Sequence, residues 1–261
     1  MKNNFFLRTR LNSKVCILFF LILGIYSCQK NENQPKETLV DLRSETSLGT
    51  SCFDNLEAQC FPPNIVTYPI VLTNVAGYSG CSFNVDVTYS DCLVNGAVQL
   101  FFGDFVITSI NCPQYDIDFI NAQSAGGLVF QNFLATFDLS MYKAIELYFI
   151  NLYGAPACGL GASSTISWHL SSCVQRCFKA TPDGKGGTTY LQIAIKECGL
   201  GCCIRQTSFC RTPTGEFIPT TTTTSIPNNA VCESTSNGFP VSLACNVISA
   251  CFNRCEVLTR N

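Results

Sequence analysis

The sequence is short of charge: only 13% of its 261 residues are Asp, Glu, Lys or Arg, against about 25% in an average soluble domain. It holds one histidine, one tryptophan and two methionines, so chemistry at neutral pH has a single side chain of ordinary pKa to start from. No apolar run reaches the ~20 residues that a membrane-spanning helix needs. Basic residues are not in excess, with 16 Lys and Arg against 18 Asp and Glu; this removes the electrostatic footprint of a nucleic-acid binder. Low charge is joined to 47% apolar and 11% aromatic residues, a composition opposed to disorder. Several motifs are also missing. There is no Cys-x-x-Cys, no Gly-x-Ser-x-Gly and no phosphate-loop frame, since Gly184-Lys185-Gly186-Gly187 has the wrong spacing and reads as a turn.

What the chain does have is an N-terminal address. Lys2, Arg8, Arg10 and Lys14 form a positive start, and Val15 to Tyr26 follow without a polar side chain of ordinary solubility, the length of a signal-peptide core. The stretch ends Ile25-Tyr26-Ser27-Cys28. These residues resemble the lipobox of bacterial lipoproteins, with an aliphatic residue three before the cysteine and a small one just before it; Tyr26 departs from the pattern, which favours a small residue there. The polar run Gln29 to Ser47 reads as a solvated tether, and Cys28-Gln29-Lys30-Asn31-Glu32-Asn33 resembles the start of surface-exported lipoproteins in Bacteroidota. The resemblance implies a signal peptide over 1–27, lipid on Cys28 and a tether over 28–50. It further implies a cell-envelope location at the outer membrane, with exposure at the cell surface. The plain alternative is a cleaved secretory signal without lipid. Removal of 1–27 takes away four positive charges and no negative one, leaving 12 basic and 18 acidic side chains and a net charge of −6. The expected partners are therefore a membrane reached through the lipid and an unknown protein or glycan ligand, with no nucleic acid.

The second feature is cysteine, 18 in all. Cys16 belongs to the signal and Cys28 to the lipid. Sixteen remain: Cys52, Cys60, Cys81, Cys92, Cys112, Cys158, Cys173, Cys177, Cys198, Cys202, Cys203, Cys210, Cys232, Cys245, Cys251 and Cys255. An even number in an exported chain predicts a fully paired disulfide framework whose connectivity the sequence leaves open. The Cys-x3-Cys spacings at 173/177, 198/202 and 251/255 are nominally compatible with zinc, but with one histidine and an oxidising compartment no metal or other cofactor is expected. On a strand, Cys173 and Cys177 would lie about 13 Å apart, beyond the ~7 Å limit of a disulfide. They should therefore bond to different partners and stitch their strand to two neighbours.

Periodicity predicts an α+β fold, mostly antiparallel β with two or three short helices and rich in disulfides. Ile65 to Val75 reads as a strand that Pro69 assigns to an edge or a break. Phe83, Val85, Val87 and Tyr89 alternate with polar residues as a half-buried strand does. One or two strands follow over Val98 to Ile110, around Gly103-Asp104. Helices are expected near 127–137 and 141–153, the second capped by Ser140 and stopped by Gly154. Strand signals return at Thr165 to Leu170, with Ile166, Trp168 and Leu170 inward. Hairpins are expected over 173–180 with 188–196 and over 201–211 with 215–223. Val241, Cys245, Ile248, Phe252 and Cys255 suggest a closing helix. The organisation is a β-rich region over 51–158 ending in a helix pair, then a cysteine-rich hairpin region over 165–261. Either the two regions form one domain, or two separately closed disulfide groups meet near 159–164.

No motif names a reaction. His169 lies on the Thr165 to Leu170 strand and reads as a solvent-facing residue. Asp86, Asp91, Asp104, Asp116 and Asp118 supply carboxylates, and Asp116/Asp118 could hold calcium weakly; solvated strand or loop carboxylates are the plainer reading. The tyrosines Tyr142, Tyr148 and Tyr153 are explained by packing on a sheet. Two functions remain: a non-catalytic surface lipoprotein that binds or builds, and a secreted carboxylate-dependent hydrolase of glycans or peptides. More weight falls on the first, so no catalytic residue is assigned.

Overall fold

The computed structural model describes residues 52, 65–94, 97–161, 163–182, 186–199, 201–226, 232 and 239–258. All lie within the compact unit Glu45–Asn261. The signal, Cys28, the tether, Cys60 and Asn95-Gly96 fall outside the described residues.

Three strands open the fold, β1 (Ile65–Leu72), β2 (Ser82–Val94) and β3 (Ala97–Asn111). The alternation on β2 has the expected result, with Phe83, Val85, Val87 and Tyr89 all buried. β3 is one strand, and Gly103-Asp104 marks a bulge in it: Val87 pairs with Phe105 and Tyr89 with Phe102. The extra residue turns both Phe102 and Phe105 into the core. β1 ends the sheet, as Pro69 requires.

Two helices then cross over, α1 (Pro113–Ala125) and α2 (Gly127–Tyr153). Periodicity alone does not reveal α1. It starts where Cys112 caps it, its sulfur accepting from the Tyr115 N–H at 3.4 Å, with Pro113 in the first turn. It ends at Gly126, whose φ of 66° an L side chain rarely adopts. α2 corrects the expected pair of short helices: it runs unbroken through Ser140 for 27 residues. Ser140 does not cap, because no glycine or proline interrupts 128–153 and a serine alone does not stop a helix. Gly154 does stop it, its N–H bonding to the Ile150 carbonyl.

The crossover delivers β4 (Ser164–Ser171) parallel to β3, as a connection of this length permits. β5 (Cys173–Pro182) and β6 (Thr188–Glu197) form one hairpin, β7 (Cys202–Arg211) and β8 (Phe217–Ile226) the other. β7 pairs with β4, so a six-stranded sheet is built in the order β1-β2-β3-β4-β7-β8. The five consecutive threonines belong to β8. A smaller sheet holds β6, β5, β9 (Val247–Ile248) and β10 (Phe252–Asn253).

The expected closing helix is replaced by a 3₁₀ turn at Val241–Leu243, the two short strands β9 and β10, and a single short helix, α3 (Arg254–Leu258). Two of the five residues in that helix-like stripe, Cys245 and Cys255, are cysteines, and each serves a cross-link. The fold class is α+β, mainly antiparallel and disulfide-rich, and among the described residues two full-length helices stand where two or three short ones were expected. Among the described residues no helix is long and apolar enough to cross a membrane.

α2 lies on the six-stranded sheet and carries the core. Phe149 meets Tyr89 at 4.8 Å and Phe102 at 4.9 Å, Tyr142 meets Trp168 at 4.5 Å, and Phe137 meets Phe83 at 5.7 Å. Each such pair adds about 0.5–1.5 kcal/mol beyond its buried area. α1 meets the smaller sheet through Phe119, stacked on Tyr190 at 4.7 Å and edge-on to Phe178 at 4.9 Å.

The disulfides are Cys52–Cys202, Cys81–Cys112, Cys158–Cys210, Cys173–Cys232, Cys177–Cys245, Cys198–Cys251 and Cys203–Cys255; Cys92 is disulfide-bonded as well. Two of them, Cys52–Cys202 and Cys158–Cys210, cross residues 159–164, so the cysteines do not form two separately closed groups. Cys173 and Cys177 do take different partners. Both partners come from the C-terminal segment, however, not from two neighbouring strands.

Candidate functional site

α2 places Asp138, Tyr142 and Glu146 four residues apart, hence on one face of the helix, and all three are buried. Each carboxylate meets an arginine from a strand. Arg176 of β5 grips Asp138 through both nitrogens of its fork, with Nη1 donating to Oδ1 at 2.7 Å and Nη2 to Oδ2. Arg205 of β7 donates from Nε to Glu146 Oε1 at 3.0 Å and from Nη2 to Oε2 at 3.4 Å. Glu146 also accepts from Trp168 Nε1 at 3.0 Å and from Thr207 Oγ1 at 3.2 Å. A third pair joins Arg254 Nη1 to Asp104 Oδ2 at 3.0 Å, Arg254 being 1% exposed.

The outcome is a polar spine along the helix, three carboxylates against three guanidiniums. Arginine suits it, because its rigid fork matches a carboxylate and its charge survives burial. Burial pushes the Glu146 carboxyl above its ordinary value, although Arg205 and the hydrogen bonds from Arg205, Trp168 and Thr207 pull the other way. Burial likewise holds the Tyr142 phenol well above its usual range, with Arg254 opposing it. The carboxylates and guanidiniums pair with one another, while Tyr142 Oη, Arg176 Nε and Arg254 Nε and Nη2 are buried with no hydrogen-bond partner among the described residues. The spine keys α2 to both sheets, and removing one partner of such a buried pair costs about 3–5 kcal/mol.

The carboxylates singled out in the sequence are not brought together. Asp86 and Asp91 lie on β2, opposite Pro69 and Leu100 respectively. Asp104 is taken by Arg254. Asp116 and Asp118 lie on α1, where residues two apart point to different sides of the helix. Asp116 accepts from Thr189 Oγ1 at 3.0 Å, and Asp118 accepts from Gln114 Nε2 at 2.7 Å. Tyr78 is pushed up to about 12, by burial first and then by the neighbouring Asp118. The joint calcium site weighed for Asp116/Asp118 is corrected by the helix that carries them. Among the described residues no three His, Cys, Asp or Glu gather in a metal-binding group. His169 is half-buried rather than solvent-facing, with its ring 6.0 Å from that of Phe101. Burial lowers its pKa, and a hydrogen bond to the Cys52 backbone acts against that.

A groove of ≈ 360 Å³ opens between the end of β1 and the second half of α2. Val71, Leu72, Ala144, Leu147, Tyr148 and Leu152 line it, and its other members are Thr73, Asn74 and Asn151. No ionisable carboxylate or amine is among them. Val71 and Leu152 are each 56% exposed, which is a large outlay of apolar surface in one place. None of Asp86, Asp104, Asp116 or Asp118 reaches this groove.

Sequence reasoning missed the spine. Its signal was there, because Asp138 and Glu146 interrupt the apolar stripe of α2, and Arg176 and Arg205 fall between apolar and cysteine residues on their strands. In a chain so poor in charge, an ionised residue on a core face needs a partner. Compared with protein-family models, with curated proteins and with solved structures, the chain matches none.

Proposed function

We propose that the protein is a lipid-anchored, disulfide-stabilised component of the bacterial cell envelope with a non-catalytic binding role, and that the β1–α2 groove takes aliphatic side chains of a partner protein. The groove carries this reading. Its lining is mainly aliphatic, so it rewards burial of an apolar side chain by about 1.5–3 kcal/mol, and it offers a charged ligand no opposite charge. The anchor rests on Ile25, Ser27 and Cys28, and the disulfide framework is compatible with an oxidising, extracytoplasmic setting.

The groove is tested by panning a displayed peptide library against the purified protein. Aliphatic-rich peptides should be enriched, and their binding should be lost in Leu152→Lys while the melting temperature holds. Glycans that bind with no peptide enriched would replace the ligand class. Turnover of a glycan or peptide that disappears when one Asp or Glu is replaced would overturn the non-catalytic reading in favour of a hydrolase. The anchor is tested separately, since Cys28→Ser should abolish incorporation of labelled fatty acid.

A further inference from the structure

Among the described residues β1 and β8 are the two end strands of the six-stranded sheet. Both ladders are continuous. β1 pairs with β2 from Ile65↔Ser90 to Leu72↔Phe83, and β8 pairs with β7 from Cys202↔Ile226 to Arg211↔Phe217, with no register shift in either. Each of these strands carries a proline inside it, Pro69 on β1 and Pro219 on β8. A proline within an unbroken ladder turns its nitrogen to the open side, where the missing N–H costs the sheet nothing.

The edge at β1 is apolar, with Ile65, Tyr68 and Val71 exposed along it, whereas β8 exposes Ile218 beside Pro219 and continues through Thr220 to Thr224, residues that favour strands. A long apolar edge with free N–H and C=O groups is a template for a strand of another chain. Backbone N–H groups alternate in direction along a strand, so Thr67 and Val71 share the outward side with Pro69. The proline leaves a gap of about 13 Å between those two donors, twice the normal spacing along an edge.

We propose that Pro69 and Pro219 lock the two edges against strand addition by a second copy of the chain. Among the described residues the sheet then stops at six strands despite the apolar border at β1 and the threonine-rich one at β8, and any partner of the β1–α2 groove docks through side chains rather than by extending the sheet. This inference does not depend on the function proposed above.

Sedimentation of the purified full-length chain across a wide range of concentration tests it. Pro69→Thr combined with Pro219→Thr restores both donors with a good strand former. The double variant should double in mass as concentration rises, whereas the wild type should hold one mass. A double variant that keeps the wild-type mass and melting temperature throughout would overturn the proposal. Hydrogen exchange of the wild type decides the matter even if the variant does not fold. The Thr67 and Val71 amides should exchange at a rate independent of concentration, and protection that grows with concentration would show an edge open to pairing.

Discussion

The six-stranded sheet and the smaller sheet solve the same problem with different materials. Facing α2, the larger sheet presents Phe83, Tyr89, Phe102, Phe105 and Trp168, all buried, and its long strands pair over eight or more residues at β1–β2, β4–β7 and β7–β8. On the smaller sheet, β9 and β10 are two residues each, too short to hold themselves by pairing. There the cysteines gather: Cys173–Cys232, Cys177–Cys245 and Cys198–Cys251 tie the β5–β6 hairpin to the C-terminal segment, and Cys203–Cys255 ties that segment to β7. Cross-links stand in where apolar area runs short. Each closes a loop of 52 to 68 residues, long enough for a stabilisation of about 2–4 kcal/mol.

The sharpest way to break this contrast is at the centre of the larger sheet. Phe149→Ala should destabilise the protein by about 3–5 kcal/mol, read as a lower urea midpoint with every disulfide still formed. A loss of less than about 1 kcal/mol, within the range of surface substitutions, would mean that the aromatic layer is not what holds this half together. On the smaller sheet, Cys177→Ser with Cys245→Ser should cost about 2–4 kcal/mol. Hydrogen exchange should place that loss at Cys177↔Ile248 and Phe178↔Val247, the β5–β9 pairs, while the β2–β3 amides keep their protection. Equal loss of protection in both sheets would show that the two halves share one mode of support.

The smallest expected effect concerns the spine that joins the halves. Glu146 has its folded pKa raised above the ordinary 4.5. Its titration therefore contributes stability that is fully present below the unfolded value and is lost as pH rises through the folded one. The stability of the wild type relative to Glu146→Gln should accordingly fall as pH rises from about 4.5 upward, followed by urea unfolding at a series of pH values. A difference that stays flat, or that grows with pH, would mean that Arg205 outweighs burial at this carboxyl.

The sequence was legible where one local rule acted alone. Alternation placed β2 with its inward residues, Pro69 put β1 at an edge, and turn residues bracketed the β7–β8 hairpin. It failed where two signals overlapped. α1 was hidden because its buried stripe, Tyr115, Phe119 and Ala122, is short and the exposed Ile117 and Ile120 blur it. Ser140 looked like a cap inside α2, yet helix termination needs more than one polar side chain. The C-terminal stripe mimicked a helix because Cys245 and Cys255, read as apolar, were placed by their disulfides to Cys177 and Cys203. The groove was not legible at all, since Val71 and Leu152 lie on elements that meet only after the crossover.

By itself the sequence determined the period of each strand, the even set of candidate disulfide cysteines and the residues that could not be ignored in a chain with so few charges. Those are local or arithmetic properties, present in the unfolded chain. Only the tertiary structure decided which cysteines pair, which arginine neutralises Asp138 and which Glu146, and where apolar surface is left uncovered. Each of these joins residues far apart in sequence, and many pairings satisfy the same composition. Packing selects one, because a buried charge without its partner, or a strand one residue out of register, costs more than the whole fold can spare.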